Sequence, residues 1–163
     1  MNKSILLFLL VSSMTLGQNK DQLKNCLISK ETNISKLQKN KMKKQEKNVL
    51  GTDLEMASLE PLTGFYRDGF CSTGTNDTGI HVVAAVLTDE FLNYSKAKGN
   101  DLITPNLMYG FAGLKSGNVW CLCANRWKEA LKAGVAPPVI LSATNQKALE
   151  YLSLDDLKSH VVK

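Results

Sequence analysis

From Val49 onward the chain alternates apolar runs with polar stretches that suit helix starts and turns. Ile80 to Leu87 (IHVVAAVL) is a near-continuous apolar run with β-branched residues and predicts a buried strand. Thr88 is placed to cap a following helix, with Asp89 and Glu90 in its first turn, where the helix dipole favours acids, and Gly99 as its stop. Val119 to Cys123 (VWCLC) predicts a second strand. The next helix is expected from about Asn125 to Ala133, ending at Gly134, with Trp127, Ala130 and Leu131 as its core-facing stripe. Pro137 and Pro138 break the chain before a short third strand, Val139 to Leu141. Thr144 is expected to cap a helix carrying Ala148, Leu149 and Leu152. Ser153 and Asp156 resemble a capping arrangement for a last helix with Leu154, Leu157 and Val161 on one side. Residues 50–79, rich in Gly, Thr, Asp and Asn, read as an ordered loop. Strands interleaved with short helices predict a single α+β domain, a two-layer sandwich of a small sheet with short helices.

The chain ahead of this domain has a different pattern. Lys3 followed by Ile5 to Val11 (ILLFLLV) and by the small residues Ser12, Ser13, Thr15 and Gly17 predicts a secretory signal peptide over residues 1–17, hence an exported protein, periplasmic or secreted. The apolar run is far shorter than the roughly 20 residues a membrane span needs. Residues 18–48 carry nine Lys against Asp21, Glu31 and Glu46, a net +6, whereas residues 49–163 carry −2. The overall +5 therefore belongs to a Lys/Asn-rich spacer, and the domain itself shows no nucleic-acid footprint. The spacer lacks Gly, Pro and aromatics, and its apolar residues are too sparse to offset ordering entropy, which predicts disorder. Its charge would suit an electrostatic surface contact; a plain solvated spacer is the simpler account.

The cysteines and His81 are the residues with chemistry to offer. On a strand, Cys121 and Cys123 face the same side. With Cys71 and His81 they would make the Cys₃His set of a structural metal site, for which zinc or iron is the expected occupant. The C-x-C spacing with distant partners is a weak metal signature. In a redox reading, a direct Cys121–Cys123 bond must span about 6.6 Å between Cα atoms, the upper edge of disulfide geometry. A bridge from Cys71 to either is sterically freer. In the blandest reading Cys121 and Cys123 are small buried hydrophobes beside Trp120 and Leu122. A Cys–His catalytic pair requires Cys71 or Cys123 within hydrogen-bond reach of His81, which otherwise reads as a hydrogen-bonded strand-end histidine.

Gly64, Gly69, Gly74 and Gly79 recur every five residues through GFYRDGFCSTGTNDTG. Such a loop can turn backbone N–H groups toward an anion, with Arg67, Asp68, Thr73 and Asp101 as candidate ligand-binding residues for a small polar or anionic molecule. A turn-folded loop with no ligand is the simpler account. Asp68, Asp77 and Asp101 match no calcium-loop spacing. The chain has no Walker loop, dinucleotide fingerprint or G-x-S-x-G elbow. Phe65, Tyr66, Phe70, Trp120 and Trp127 read as core.

The motifs NVLG (48–51), PLTGFYRDGFC (61–71), TDEFL (88–92), GNDLITP (99–105), WCLCANRW (120–127), AGVAPPV (133–139) and ALEYLSLDDL (148–157) occur in one order over about 115 residues. Together they resemble the domain-of-unknown-function 2237 family of small bacterial proteins. The resemblance implies a compact α+β fold and no assigned activity. Family members often carry Cys where this chain has Ala57 and Ala84, and His where it has Asn145. A family site built on those three positions is incomplete here. Three functions remain open: a binding module between the Gly-rich loop and the C-x-C strand, a thiol- or metal-dependent enzyme using Cys71, His81, Cys121 and Cys123, and a structural or surface-adhesion domain with a basic tether.

Overall fold

A computed structural model describes residues 46–162. The leader and most of the spacer, with Cys26, lie outside the described residues. The fold is α+β: a two-stranded antiparallel sheet, β1 (His81–Val86) and β2 (Val119–Cys123), with helices α1 (Asp89–Ala97), α2 (Ala124–Lys132) and α3 (Leu154–Ser159). The expected caps at Thr88 and Ser153 are present. Each hydroxyl accepts from a backbone N–H three residues on, at Phe91 and Asp156 respectively. Gly99 and Gly134, both at positive φ, lie just past α1 and α2 and end them.

The core lies between the sheet and the helices. Trp127 of α2 is fully buried, and its indole N–H donates to the Pro137 carbonyl at 3.0 Å, so its one polar group is satisfied. Val82, Val83, Ala85, Phe91, Leu92, Leu122 and Leu157 complete the centre of this cluster. On the other side of the sheet, Ala84 faces its register partner Cys121, and with Cys71 and Ala143 forms a second, smaller buried cluster. All four central residues of β1 are thus buried, which explains why the strand reads as continuous rather than alternating.

Two expected elements differ. Residues 139–141 form no full strand. Val139 makes single bridges to Ala85 and Val161, flanked by Val86 N–H to Pro138 O and Ile140 N–H to Ala84 O. Pro137 and Pro138 have no N–H to extend the ladder, and residues 141–143 turn at once into a 3₁₀ helix. Thr144 does not cap a helix either. Its hydroxyl accepts from Ala84 N–H and donates to Ile140 O, tying this connection to β1. The cap is Asn145, and the helix it starts is a 3₁₀ helix at Gln146–Glu150. The fold also starts earlier than Val49. Asn48, which the charge pattern places in the spacer, is fully buried, its amide donating to Ser142 O and its carbonyl accepting from Leu50 and Thr52 N–H.

Candidate functional site

The site grows from the way the loop of residues 57–80 folds onto the open end of the sheet. Gly69 N–H donates to Thr63 O, and Ala57 N–H to Gly69 O, closing the loop on itself. Gly64, at φ +91°, allows this: a Cβ there would collide with the Phe70 carbonyl. Thr63 is fully buried and its hydroxyl accepts from the Cys121 backbone N–H at 2.8 Å. Beside it Cys71 and Cys121 are joined in a disulfide that closes 50 residues of chain. In the chain-entropy relation a loop of that length is worth about 4 kcal/mol to the folded state. The bridge and the Thr63 contact therefore anchor the Gly-rich loop to β2.

The last turn of that loop delivers Asp77 to His81. The Asp77 carboxylate is buried and accepts three hydrogen bonds. Oδ2 takes the His81 backbone N–H at 2.8 Å and the Thr73 hydroxyl at 2.9 Å, and Oδ1 lies 2.6 Å from His81 Nδ1. Burial alone would raise the Asp77 pKa, but the hydrogen bonds from His81 and Thr73 outweigh it and hold the carboxyl below its ordinary value. On the other side of the imidazole stands Cys123, the cross-strand partner of His81 in the β1–β2 register. Its side chain is the ring's other polar neighbour. Interaction with Cys123 first, and with the Asp77 carboxylate, overcomes desolvation and pushes His81 up from 6.5 to about 9. With Nδ1 engaged by Asp77, Nε2 is the nitrogen left for sulfur.

Local backbone geometry is spent on this arrangement. A bulge between His81 and Val83 inserts Val82 into the ladder and re-aims the strand end. Ile80, the residue before His81, sits at φ +53°, and Arg67 at φ +52°. They are the only non-glycine residues in the left-handed region among the described residues. Each such residue costs about 1–3 kcal/mol, most for a β-branched side chain such as Ile80. Gly79 also matters, because the His81 ring packs directly on it: a Cβ there would lie 2.5 Å from His81 Cε1. Phe65 stacks against the ring, its centroid 6.0 Å from that of His81.

A cavity of about 630 Å³ opens in front of these groups, within the usual size of a small-molecule site. Arg67 and His81 line it, with Phe65, Trp120, Tyr109 and Phe111 as its aromatic wall. The Arg67 guanidinium lies 4.8 Å from the Trp120 ring centroid, a cation–π arrangement that holds the charge at the cavity surface. Asp101 lines the far rim. Its carboxylate accepts from the backbone N–H groups of Ile103 and Thr104, from the Thr104 hydroxyl and from Lys96 at 3.0 Å. The Thr104 backbone bond leads in holding its pKa well below the ordinary value.

The candidate residues separate accordingly. Arg67 and Asp101 reach the cavity, whereas Asp68 accepts from Phe70 N–H within its own loop, and Thr73 supports Asp77. The Cys₃His metal set does not assemble. Cys71 and Cys121 are bonded to each other and have no thiolate to give, leaving Cys123 and His81. No group of three or more His, Cys, Asp or Glu residues suited to a metal occurs among the described residues. Of the aromatics expected in the core, Trp127 and Trp120 are there, with Trp120 also on the cavity lining, whereas Phe65 and Tyr66 are exposed and Phe65 lines the cavity. The role of Asp77 beside His81 is what sequence reasoning missed, having weighed that residue only as a cation ligand. Its signal was the four-residue spacing to His81 across a Gly turn, which lets one carboxylate meet both the backbone and the ring of the same histidine. Ala57 and Ala84, two of the positions where the chain departs from the family pattern, pack around the disulfide.

No curated protein matches the chain. The model of the family described as "Uncharacterized protein conserved in bacteria (DUF2237)" matches residues 47–161, and the chain belongs to that family.

Proposed function

We propose that the domain binds a small organic anion in the cavity between the Gly-rich loop and the C-x-C strand. The observation that carries this reading is that Arg67 and His81, both cationic at neutral pH, share one cavity wall. The one carboxylate on the lining, Asp101, is already engaged by Lys96 and Thr104, and the Asp77 carboxylate that pairs with His81 is buried behind the ring's Nδ1, which leaves Arg67 as the leading positive charge facing the cavity. The aromatic wall favours a planar or apolar body behind the anionic group. Benzoate and its neutral counterpart benzamide are suitable probes for calorimetry. Benzoate should bind and benzamide should not, and Arg67→Ala should weaken benzoate at least about tenfold, the loss of one charge-assisted contact. Equal affinity of wild type and Arg67→Ala for benzoate defeats this reading. Binding should also weaken as the pH rises through about 9, where His81 loses its charge.

Export belongs to the same proposal. The leader-like residues 1–17 support it, and so does the Cys71–Cys121 disulfide, since such bonds persist in oxidising compartments and are rare in reducing ones. Fractionation of cells with N-terminal sequencing of the mature chain tests it. A cytosolic protein retaining Met1 refutes it.

A further inference from the structure

We propose that Cys123, His81 and Asp77 form a nucleophilic thiol centre that transfers the acyl group of small activated acyl compounds to water. The anionic character of the substrate rests on the cavity reading above; the thiol centre does not.

Three features meet at Cys123. It is the free cysteine among the described residues, half-buried rather than sealed in the core. It pairs across the ladder with His81, whose ring is fixed from behind by a buried carboxylate at 2.6 Å and flanked by Phe65. It is also the N-cap residue of α2, a nine-residue helix whose first turn receives no side-chain cap from it, so the positive end of the helix begins at this residue. A thiol beside an imidazolium at a helix N-terminus is the setting in which cysteine acts as a nucleophile. Cys123 pairs with His81, which lines the cavity, and is itself only half-buried, so a small acyl compound approaching the imidazole from solvent meets the sulfur beside it. Disulfide cycling lacks a partner here, because Cys71 and Cys121 already hold each other and no other thiol is found among the described residues.

The step balances without an external oxidant or reductant. The Cys123 thiolate adds to the acyl carbon and a C–S bond forms. The bond to the leaving group breaks, and the leaving atom takes the proton on His81 Nε2. Water then attacks the thioester and passes a proton to His81. The C–S bond breaks, and the carboxylic acid leaves with the thiolate–imidazolium pair restored. Asp77 touches neither substrate nor sulfur; it is a positioning residue that fixes the tautomer and orientation of His81.

The test uses the full chain under non-reducing conditions, with alkylation read residue by residue by peptide mass spectrometry. At pH 6, Cys123 should react with iodoacetamide at least about tenfold faster than free cysteine. His81→Gln should remove that advantage, and iodoacetate should react faster still. With 4-nitrophenyl acetate, a burst of nitrophenol should accompany an acetyl group on Cys123 and be absent from Cys123→Ser. Asp77→Asn should lower the pH at which His81 titrates by NMR, a readout that a packing role alone would leave in place. Cys123 reacting no faster than free cysteine in the folded wild-type protein overturns the centre, as does an acetyl group found elsewhere. Fast reaction with iodoacetamide but no preference for iodoacetate keeps the centre and overturns the anionic substrate class.

Discussion

Cys121 and Cys123 lie two residues apart on β2 and differ in almost everything that decides what a cysteine does. Cys121 is buried, faces Ala84, and is consumed in a bond to Cys71. Cys123 sits where the ladder ends, half-exposed, opposite a histidine charged by its surroundings. The contrast arises from the neighbours the ladder supplies at each rung. A small apolar partner leaves room for a bridge, and a titratable partner beyond the bulge makes a polar site. Position along one strand thus separates a bridged sulfur from a free one.

The largest test of that contrast is thermodynamic. Cys121→Ser removes a cross-link worth about 4 kcal/mol by chain entropy and places a hydroxyl in an apolar cluster. Urea denaturation should show a loss of about 3–5 kcal/mol. Cys123→Ser, at a half-buried strand end, should lose about 1 kcal/mol or less. Similar losses at both positions would erase the distinction drawn between them.

A smaller effect appears in the pH dependence of stability. The pKa of His81 is raised from 6.5 to about 9 on folding, so the native state binds its proton more tightly than the unfolded chain. The resulting stabilisation is fully present below pH 6.5 and is lost as the pH rises through about 9. Denaturation at a series of pH values should show that decline in the wild type. It should be reduced in Cys123→Ser, which removes the leading cause of the shift, and His81→Gln should lack the imidazole contribution altogether. A decline of unchanged size in His81→Gln would assign the pH dependence to other groups.

Much of this fold was legible because local rules and tertiary structure agree. The caps at Thr88 and Ser153, the stops at Gly99 and Gly134, and the runs that became β1 and β2 are each specified by neighbouring residues. Failures occurred where long-range contacts took over a residue with good local credentials. Thr144 has the side chain of a cap, but its hydroxyl is recruited by Ala84 and Ile140. Val139 to Leu141 has strand composition, yet the two prolines ahead of it have no N–H to lengthen the ladder and a 3₁₀ helix begins at Leu141. The site was half legible. The ambiguity of C-x-C on a strand could be stated from the sequence, and Arg67 could be singled out. Which cysteine pairs with Cys71 depends on how the loop of residues 57–80 folds back. The role of Asp77 depends on a turn whose outcome no periodicity announces.

The smallest expected change in stability comes at Gly79. This glycine lies outside the left-handed region, so alanine is acceptable to its backbone. The added Cβ would nevertheless lie 2.5 Å from His81 Cε1 and 3.1 Å from both ring nitrogens, too close for the ring to stay in place. The imidazole is about one-third exposed and can swing aside, so Gly79→Ala should unfold within about 1 kcal/mol of the wild type when measured above about pH 9, where the charge on His81 no longer adds stability. Swinging aside takes the ring away from the Asp77 carboxylate, from Phe65 and from Cys123 together. The NMR titration of His81 should then move down from about 9 toward 6.5. Cys121 lies in another part of the ladder, and its bridge to Cys71 should remain intact by thiol titration. A variant whose His81 still titrates near 9 would show that the ring keeps its partners without that packing, and that the charge on His81 does not depend on the Gly79 turn.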